Sequence, residues 1–370
     1  MLSKARPRGR ALALATGLLV SLAVLPSARA GEAAPDLVPP PGHRSLVAYV
    51  TGTDRSPSAV WVAALDGSYP QRLGVGGEPL VSPSGLTVAA ALFGATANSE
   101  QGPSLAIYST VGEPVREYLS LTTATATPLA WSEDSRYLAV SFMPNALTNI
   151  ARQSGLAVID TQTGAVTTIT HGQIYGASFA PDSSDRLVFA RSPSTVLSAP
   201  TNLYTSMPDG SALRQITRDG RSLDPTWGPR YIAYDRERPR RSDASVFQIW
   251  LRLPSGGNAR RLTDLPARPL VSGLVPLAFS GSGRRLLAEY EGQDTSEAWT
   301  VRVGSGRTHR ITVRGQPVQG AGLSRDGSTL LIDEKGFEGP PSQGRVASIP
   351  FAGGRPRVLV AHGSQASWNR

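Results

Sequence analysis

A short unit of three strand-like runs recurs along this chain and constrains its fold more than any other feature. One copy spans Leu187–Pro229, with the runs LVFAR, NLYTSM and ALRQIT and then a polar loop into PTWGP. Pro208-Asp209-Gly210-Ser211 joins the last two runs and has the composition of a tight turn, in which glycine supplies a positive φ. A single unit would leave an apolar face and two strand edges exposed, so it must pack against further copies.

Each unit ends in an anchor, which is an apolar residue followed by a short turn. The anchors are Val81, Trp131, Phe179, Trp227, Phe279, Leu323 and Trp368, so that neighbouring anchors lie 44 to 52 residues apart. A β-rich run follows each anchor except the last, and the second and third runs recur in every unit, with apolar alternation and Gly, Pro, Asp or Ser at their ends. A repeat of roughly 40–50 residues with four strands is typical of a β-propeller. We therefore predict an all-β fold, a seven-bladed β-propeller of four-stranded antiparallel blades.

The two ends of the chain are predicted to complete one blade together. The first strand, LVAYV (46–50), has no inner strand before it, and the last run, GSQASWNR (363–370), is an inner strand with nothing after it. The C-terminal inner strand should therefore pair with the N-terminal strands and close the ring, which leaves only short strand edges exposed.

These residues resemble the TolB-like propeller repeat, a distant relative of the WD repeat. Phe179-Ala-Pro-Asp-Ser183 and Leu323-Ser-Arg-Asp-Gly327 match its anchor, while Asp209-Gly210 and Ile216-Thr217 match its later parts. The resemblance covers nearly all of residues 44–370 and departs at Trp227-Gly-Pro229, where the turn is shorter, and at Val81, where an aromatic residue is usual. The best-known TolB-like propellers have six blades, so six is the alternative to seven. The resemblance implies a scaffold role in the cell envelope.

The first 43 residues are predicted to lie outside the propeller. Residues 1–30 combine a basic start, the apolar run 11–25 and Ala28-Arg29-Ala30, which is the pattern of a secretory signal peptide. A retained membrane anchor is the alternative, although the apolar run is short for a membrane span. Residues 31–43 are proline-rich, which predicts a tether, and residues 44–370 are predicted to form the propeller domain. We expect export to the periplasm, the cell envelope or the medium, without stable membrane insertion after cleavage.

The composition bears on disulfides, lipid anchoring and nucleic-acid binding. The chain has no cysteine, which rules out disulfides and a lipobox-type lipid anchor, and its formal net charge is +9. The segment 1–30 holds five of the basic residues and no acidic ones, so its removal reduces the net charge to +4. No basic stripe with interleaved aromatic residues is present, so we expect no nucleic-acid partner. We expect the protein to be a monomer.

Connectivity assigns the loops to two faces. With strands A to D numbered from the channel outward, the A–B and C–D turns share one face, and the B–C and D–A loops share the other. The first set is short and glycine-rich, whereas the B–C loops, such as Met143–Gly155, Ser192–Asn202 and Arg236–Val246, are long. Binding residues usually lie on long loops that a rigid scaffold holds. We therefore predict that the B–C/D–A face binds the partner.

The D–A loops supply the candidate binding residues at the channel mouth, and Glu78 and Arg221 belong to the same loops. A polar pocket on the axis and an ordinary solvated rim are both consistent with them. The candidates are His171, Gln173, Arg218, Asp219, Asp224, Asp264, Arg268, Arg314, Gln316, His362 and Gln365.

Three classes of function fit this pattern. The first is a non-catalytic propeller that binds a protein or peptide of the cell envelope. The second is a lyase or lactonase with a channel-mouth site, and some lyases with a similar propeller hold a metal through His and Gln on this face. His171 and His362 fall on opposite walls, too far apart to share one metal, so we expect no metal, no cofactor and no catalytic residue. The third class is a sensor for a small ligand or glycan.

We predict that the exported protein begins at Gly31, because Ala28-Arg29-Ala30 forms an A-x-A cleavage site after a short apolar run. Intact-mass measurement of the exported protein checks this prediction. A mass that retains residues 1–30 would contradict the secretory interpretation.

Overall fold

The computed structural model describes residues 45–52, 58–92, 104–112, 115–118, 124–144, 154–194, 199–238, 246–266, 271–292, 295–334 and 343–369. The predicted signal peptide, the tether, Arg268 and large parts of the three long B–C loops lie outside these residues. The secondary-structure elements within these ranges are β-strands.

The thirty strands have the following bounds. They are β1 Leu46–Thr51, β2 Ala59–Ala64, β3 Gln71–Val75, β4 Gly77–Val81, β5 Thr87–Ala91, β6 Leu105–Ser109, β7 Arg116–Tyr118, β8 Ala124–Trp131, β9 Tyr137–Pro144, β10 Gly155–Asp160, β11 Val166–His171, β12 Gln173–Phe179, β13 Leu187–Ser192, β14 Asn202–Ser206, β15 Arg214–Gln215, β16 Ser222–Trp227, β17 Ile232–Arg238, β18 Val246–Leu253, β19 Gly256–Arg261, β20 Val271–Phe279, β21 Arg285–Gly292, β22 Ser296–Arg302, β23 Thr308–Arg310, β24 Thr312–Val313, β25 Gln316–Pro317, β26 Gln319–Leu323, β27 Thr329–Asp333, β28 Val346–Pro350, β29 Arg357–Val360 and β30 Ser364–Trp368.

Most strands belong to four-stranded antiparallel units that follow the chain. Unit 1 is β30-β1-β2-β3, unit 2 is β4 to β7, unit 3 is β8 to β11, unit 4 is β12 to β15, and unit 7 is β26 to β29. Strands β16 to β23 form one larger sheet, in which unit 5 (β16 to β19) and unit 6 (β20 to β23) are linked by the parallel pair of Phe247 with Gly273. Strands β24 and β25 form a separate hairpin where the sequence analysis expected a loop.

Apolar cores lie between consecutive units and join the last unit to the first. Between units 3 and 4, for example, Leu156 packs with Phe189. The core between units 7 and 1 brings Leu331 together with Tyr49 and with Ala366 of β30. Because each unit buries its faces against its neighbours, the units form a closed ring.

Aromatic anchors contribute to the contacts between units. The indole Nε1 of Trp131 donates to the carbonyl oxygen of Leu80 in the preceding unit at 3.0 Å. The indole of Trp368 lies so close to Gly322 that a Cβ there would be 2.4 Å from its Nε1. A side chain larger than hydrogen at Gly322 would therefore push the closing strand away from unit 7.

In several units a serine after the anchor and the aspartate that follows it hold the anchor turn. In unit 7, Ser324 Oγ donates to Asp326 Oδ1 at 2.6 Å, and the backbone N–H of Ser328 donates to the same oxygen at 2.9 Å. These hydrogen bonds lower the pKa of Asp326 to about 2. Because the pKa is lowered, the turn is favoured above the ordinary pKa of an aspartate and loses this contribution as the pH falls through about 2.

The closing strand β30 is held by three units at once. Within unit 1, Trp368 is paired with Val47, and the N–H of Leu46 donates to Asn369 Oδ1 at 2.7 Å. From unit 2, the N–H of Val81 donates to Ser367 Oγ at 3.1 Å, and in unit 7 Asp333 Oδ2 accepts from the N–H of Ala366 at 3.2 Å. The strand is therefore part of the ring contacts as well as the edge of one sheet.

We predict that truncation after Gly363 opens the ring, because it removes β30 and exposes the edge of β1. Loss of the apolar burial of Trp368 alone corresponds to about 2–3 kcal/mol. Thermal unfolding should therefore occur about 5–10 °C lower or lose its cooperativity. A variant that lacks only Arg370 is the control and should melt like the full chain. A truncated protein with the full-length melting temperature would contradict closure by β30.

Candidate functional site: the channel and its mouth

One strand of each unit faces the axis of the ring. These inner strands are β4, β8, β12, β16, β20, β26 and β30, and each contributes at least one residue to the wall of a cavity of about 270 Å³. The residues that represent the seven strands in this wall are Leu80, Leu129, Ala177, Asp224, Pro276, Ala321 and Trp368. The cavity is therefore a property of the ring and not of any one unit.

Every inner strand has a register shift just before its anchor, and the shifted segment includes the residue three positions before the anchor. The residues at this position are Glu78, Pro128, Gly176, Asp224, Pro276, Gly320 and Gln365. Three of them are neither glycine nor proline and have a positive φ, at 50° for Glu78, 38° for Asp224 and 53° for Gln365. A β-bulge bends its strand and re-aims the local side chain, which is why bulges are common next to functional sites.

Several candidate residues lie in strands, although the sequence analysis expected them in loops. Asp224 and Gln365, with Glu78, lie within inner strands rather than in the D–A loops, and Gln173 is the first residue of β12. Gln365 Oε1 accepts a hydrogen bond from the N–H of Glu78 at 2.9 Å, so this pair links units 1 and 2. Glycine or proline inside an apparent strand marks a bulge, and this signal is present at the equivalent positions Pro128, Gly176, Pro276 and Gly320 but not at Glu78, Asp224 and Gln365.

The remaining candidates that the structure describes lie in the connections that precede inner strands. Arg218 follows β15, Arg314 has a φ of 52° in the turn of the β24–β25 hairpin, and Gln316 begins β25. His171 ends β11 and His362 precedes β30, and both side chains are exposed together with Arg218, Arg314 and Gln316. The mouth therefore carries several basic groups that solvent reaches.

Asp219 holds its own loop in place. Its Oδ1 accepts from Ser222 Oγ at 2.8 Å and from the N–H of Arg221 at 2.9 Å, and its Oδ2 pairs with Arg236 Nε at 3.3 Å. In the same loop, Thr217 Oγ1 accepts from the N–H of Leu203 at 2.8 Å. The side chain of Asp219 is thus used to fix the D–A loop and leaves the neighbouring arginines exposed.

Unit 5 repeats this arrangement at Thr263. Thr263 Oγ1 accepts from the N–H of Ile249 at 2.9 Å and donates to Gln248 Oε1 at 3.0 Å. Gln248 is buried, and its Nε2 donates to the carbonyl oxygen of Leu265 at 2.7 Å. Asp264 is exposed instead and pairs with Arg261 at 3.1 Å. In these two units the threonine therefore connects strand C to the start of the D–A loop.

Tyr234 is the buried titratable group beneath the Asp219 loop. Burial and, to a smaller extent, the charge of Asp219 raise the pKa of Tyr234 to about 12. Tyr234 is therefore protonated at neutral pH, which does not suit it to be a general base.

Metal ligands do not converge at the mouth within the described residues. No group of three or more His, Cys, Asp or Glu side chains in those ranges could hold a metal ion. His171 belongs to unit 3 and His362 precedes the inner strand of unit 1.

In the described part of the chain, no helix is long and apolar enough to cross a membrane.

Comparison with known proteins supports the architecture. The β-propeller domain of the Trilobed protease from Pyrococcus furiosus has a TM-score of 0.61 at 12% identity, covering 86% of this chain and 95% of that domain. TolB from Acinetobacter baumannii has a TM-score of 0.53 at 14% identity, with 89% of this chain and 68% of TolB covered. An oligogalacturonate lyase in complex with manganese has a TM-score of 0.56 at 14% identity, with 75% and 80% covered.

These similarities define the class of protein. The ring of four-stranded antiparallel units around an axial cavity is a β-propeller, and its likeness includes TolB, so the chain is a TolB-like β-propeller in fold. Identities of 12–14% show the fold alone. No family model and no curated protein sequence matches the chain.

We predict that Asp219→Ala destabilises the mouth more than Asp264→Ala does. The first change removes two hydrogen bonds and an ion pair and should cost about 1–3 kcal/mol. The second removes one exposed ion pair and should cost less than about 1 kcal/mol. Urea unfolding measures both free energies, and hydrogen exchange should show faster exchange at residues 217–222 in Asp219→Ala only. Equal costs for the two variants would contradict the role assigned to Asp219.

Proposed function

We propose that this chain is an exported, non-catalytic propeller of seven blades that binds a protein or peptide partner of the cell envelope through its channel mouth. The observation that carries the proposal is the charge at this mouth. Arg218, Arg221 and Arg314 are exposed, and none of them forms an ion pair with another described residue.

The acidic residues nearby do not neutralise these arginines directly. Asp219 is paired with Arg236, and Asp264 is paired with Arg261. Guanidinium groups bind carboxylates through paired hydrogen bonds, so a mouth of this kind suits an acidic segment or a C-terminal carboxylate. The preferred partner is therefore a protein or peptide that presents such a group.

The opposite face is less suited to binding. Its turns at Asp66-Gly67 and Asp209-Gly210 are closed locally, because Asp66 Oδ1 accepts from the N–H of Ser68 at 2.9 Å and Asp209 Oδ1 accepts from that of Ser211 at 2.8 Å. Side chains that complete their own turns are not available to a partner. The mouth face has the longer connections, which is where binding residues usually lie.

The seven-blade count rests on the repeat of the inner strands. Seven anchors in the sequence, seven inner strands along one cavity and seven inter-unit cores support it over six blades. The export proposal, with a signal peptide at 1–30, a tether at 31–43 and the propeller at 44–370, rests on the sequence pattern alone.

The lyase or lactonase alternative has less support. It requires convergent ligands or an acid–base pair, and the histidines at the mouth belong to different units. The small-ligand alternative is favoured by one observation, the axial cavity.

Charge reversal at the mouth tests the proposed function. A partner recovered from cell-envelope extract by pull-down should bind Arg218→Glu/Arg314→Glu at least about tenfold more weakly than the unmodified protein, since two charge-assisted contacts are reversed. Its affinity for the unmodified protein should also fall with salt, because exposed charges are screened over about 8 Å at physiological ionic strength.

The matched control lies on the opposite face. Arg284 and Arg307 are exposed in the turns of unit 6 and form no ion pair within the described ranges, so Arg284→Glu/Arg307→Glu makes the same charge change there. Calorimetry should give this variant the affinity of the unmodified protein. If only the control variant loses affinity, the working face has been assigned wrongly.

A further inference from the structure

The turns of units 5 and 6 carry a basic patch on the face opposite to the channel mouth. The A–B and C–D turns of these units span residues 228–231, 254–255, 280–284 and 303–307, and none of these segments contains an aspartate or a glutamate. Five exposed arginines lie in these turns or beside them, and we call them the arginine patch. They are Arg230, Arg260, Arg284, Arg302 and Arg307.

Hydrogen bonds connect the segments that hold the patch. Arg260 Nη2 in unit 5 donates to the carbonyl oxygen of Val303 in unit 6 at 3.2 Å. The N–H of Val303 donates to the carbonyl oxygen of Arg284, and that of Arg302 donates to the carbonyl oxygen of Arg307, both at 2.9 Å. The patch is therefore continuous across the boundary between the two units.

Two of the arginines share one aromatic ring. The Cζ atoms of Arg230 and Arg260 lie 5.3 and 5.6 Å from the ring centroid of Tyr231. A guanidinium group is attracted to an aromatic face, so the ring keeps two positive charges close together although like charges repel each other.

The charge of the patch is not neutralised by ion pairs. Among the residues that the structure describes, no carboxylate forms an ion pair with any of the five arginines. The turns of units 3 and 4 are the acidic part of the same face, with Glu133, Asp182 and Asp209 among others. One side of the face is thus basic, and a concentration of one charge attracts the opposite charge.

The patch stands on protruding turns. A Cβ added at Gly256, Gly257 or Gly304 would have no atom within 4 Å, so these turns extend into solvent. Leu253, at the end of β18 and directly before one of them, is 42% exposed. A raised basic surface with an exposed apolar side chain suits a broad anionic surface that has hydrocarbon beneath its charged groups.

We propose that the arginine patch binds an anionic phospholipid surface, with units 5 and 6 against the headgroups and the channel mouth directed away from the membrane. Guanidinium groups bind phosphate through paired hydrogen bonds, and Leu253 adds apolar contact at the boundary with the acyl chains. The binding is peripheral and needs no inserted segment. It goes beyond the proposed function, because the patch and the mouth lie on opposite faces and the mouth stays open to its partner.

Co-sedimentation with lipid vesicles tests the proposal. The exported protein is used, with its N-terminus established by intact mass, so that all variants share one N-terminus. Phosphatidylcholine vesicles that contain about one third phosphatidylglycerol should bind it at least about tenfold more tightly than vesicles of phosphatidylcholine alone. The affinity should fall as salt is added, because exposed charges are screened.

Two variants with the same charge change locate the binding. Arg284→Glu/Arg307→Glu should bind the anionic vesicles at least about 25-fold more weakly, since each arginine near an anionic membrane contributes about fivefold. Arg218→Glu/Arg314→Glu at the mouth should bind them at least about fivefold more tightly than the patch variant does. Arg284→Lys/Arg307→Lys keeps the charge and should retain the affinity to within about threefold.

Four results would overturn the proposal. They are equal binding to neutral and anionic vesicles, unchanged binding of the patch variant, an equal loss in the mouth variant, which would mean an effect of net charge only, and release from the vesicles by glycerol phosphate at the same phosphate concentration. The partner of the mouth should still bind the patch variant. Failure of the lipid surface and failure of the mouth site are therefore distinguishable.

Discussion

The structure depends on one constraint, which is that a four-stranded sheet cannot leave its faces and edges uncovered in water. Each unit here buries its faces against the units on both sides, and this arrangement works only if the last unit meets the first. The pairing of Val47 with Trp368 and the core that joins Leu331 to Tyr49 meet that requirement. Contacts from Val81 and Asp333 then fix the closing strand to units 2 and 7. The position of the channel and of its mouth follows from this closure.

The channel has two chemistries because different elements build its two parts. D–A loops build the mouth, where threonine and aspartate side chains such as Thr217 and Asp219 hold the backbone and leave arginines in solvent. Inner strands build the cavity, where small and apolar residues allow the strands to come close together. Asp224 lies at the bulge of its inner strand and is one of the residues that line the cavity.

The sequence predicted the parts that depend on local pattern. Alternating runs and glycine-bearing turns located most strands to within a few residues, and the anchors Trp131 and Trp368 mark the ends of two inner strands, as the repeat indicated. The hairpin around Arg314 was missed because its two-residue strands are too short for any periodicity. Asp224 was expected in a loop, whereas it lies in β16 with a positive φ and close to Gly176 of a neighbouring strand, which no local pattern shows. The role of Asp219 was likewise hidden, since its partner Arg236 lies on another strand.

Amide hydrogen exchange of the two chain ends tests ring closure most directly. If β30 completes unit 1, the amides of Leu46–Thr51 and Ser364–Trp368 exchange as slowly as those of β9 and β10 in the middle of unit 3, because all of them open only when the ring opens. Both segments should also share one opening free energy. Exchange of Ser364–Trp368 at the rate of an unfolded peptide, while β9 and β10 stay protected, would contradict the closed ring and the channel that depends on it.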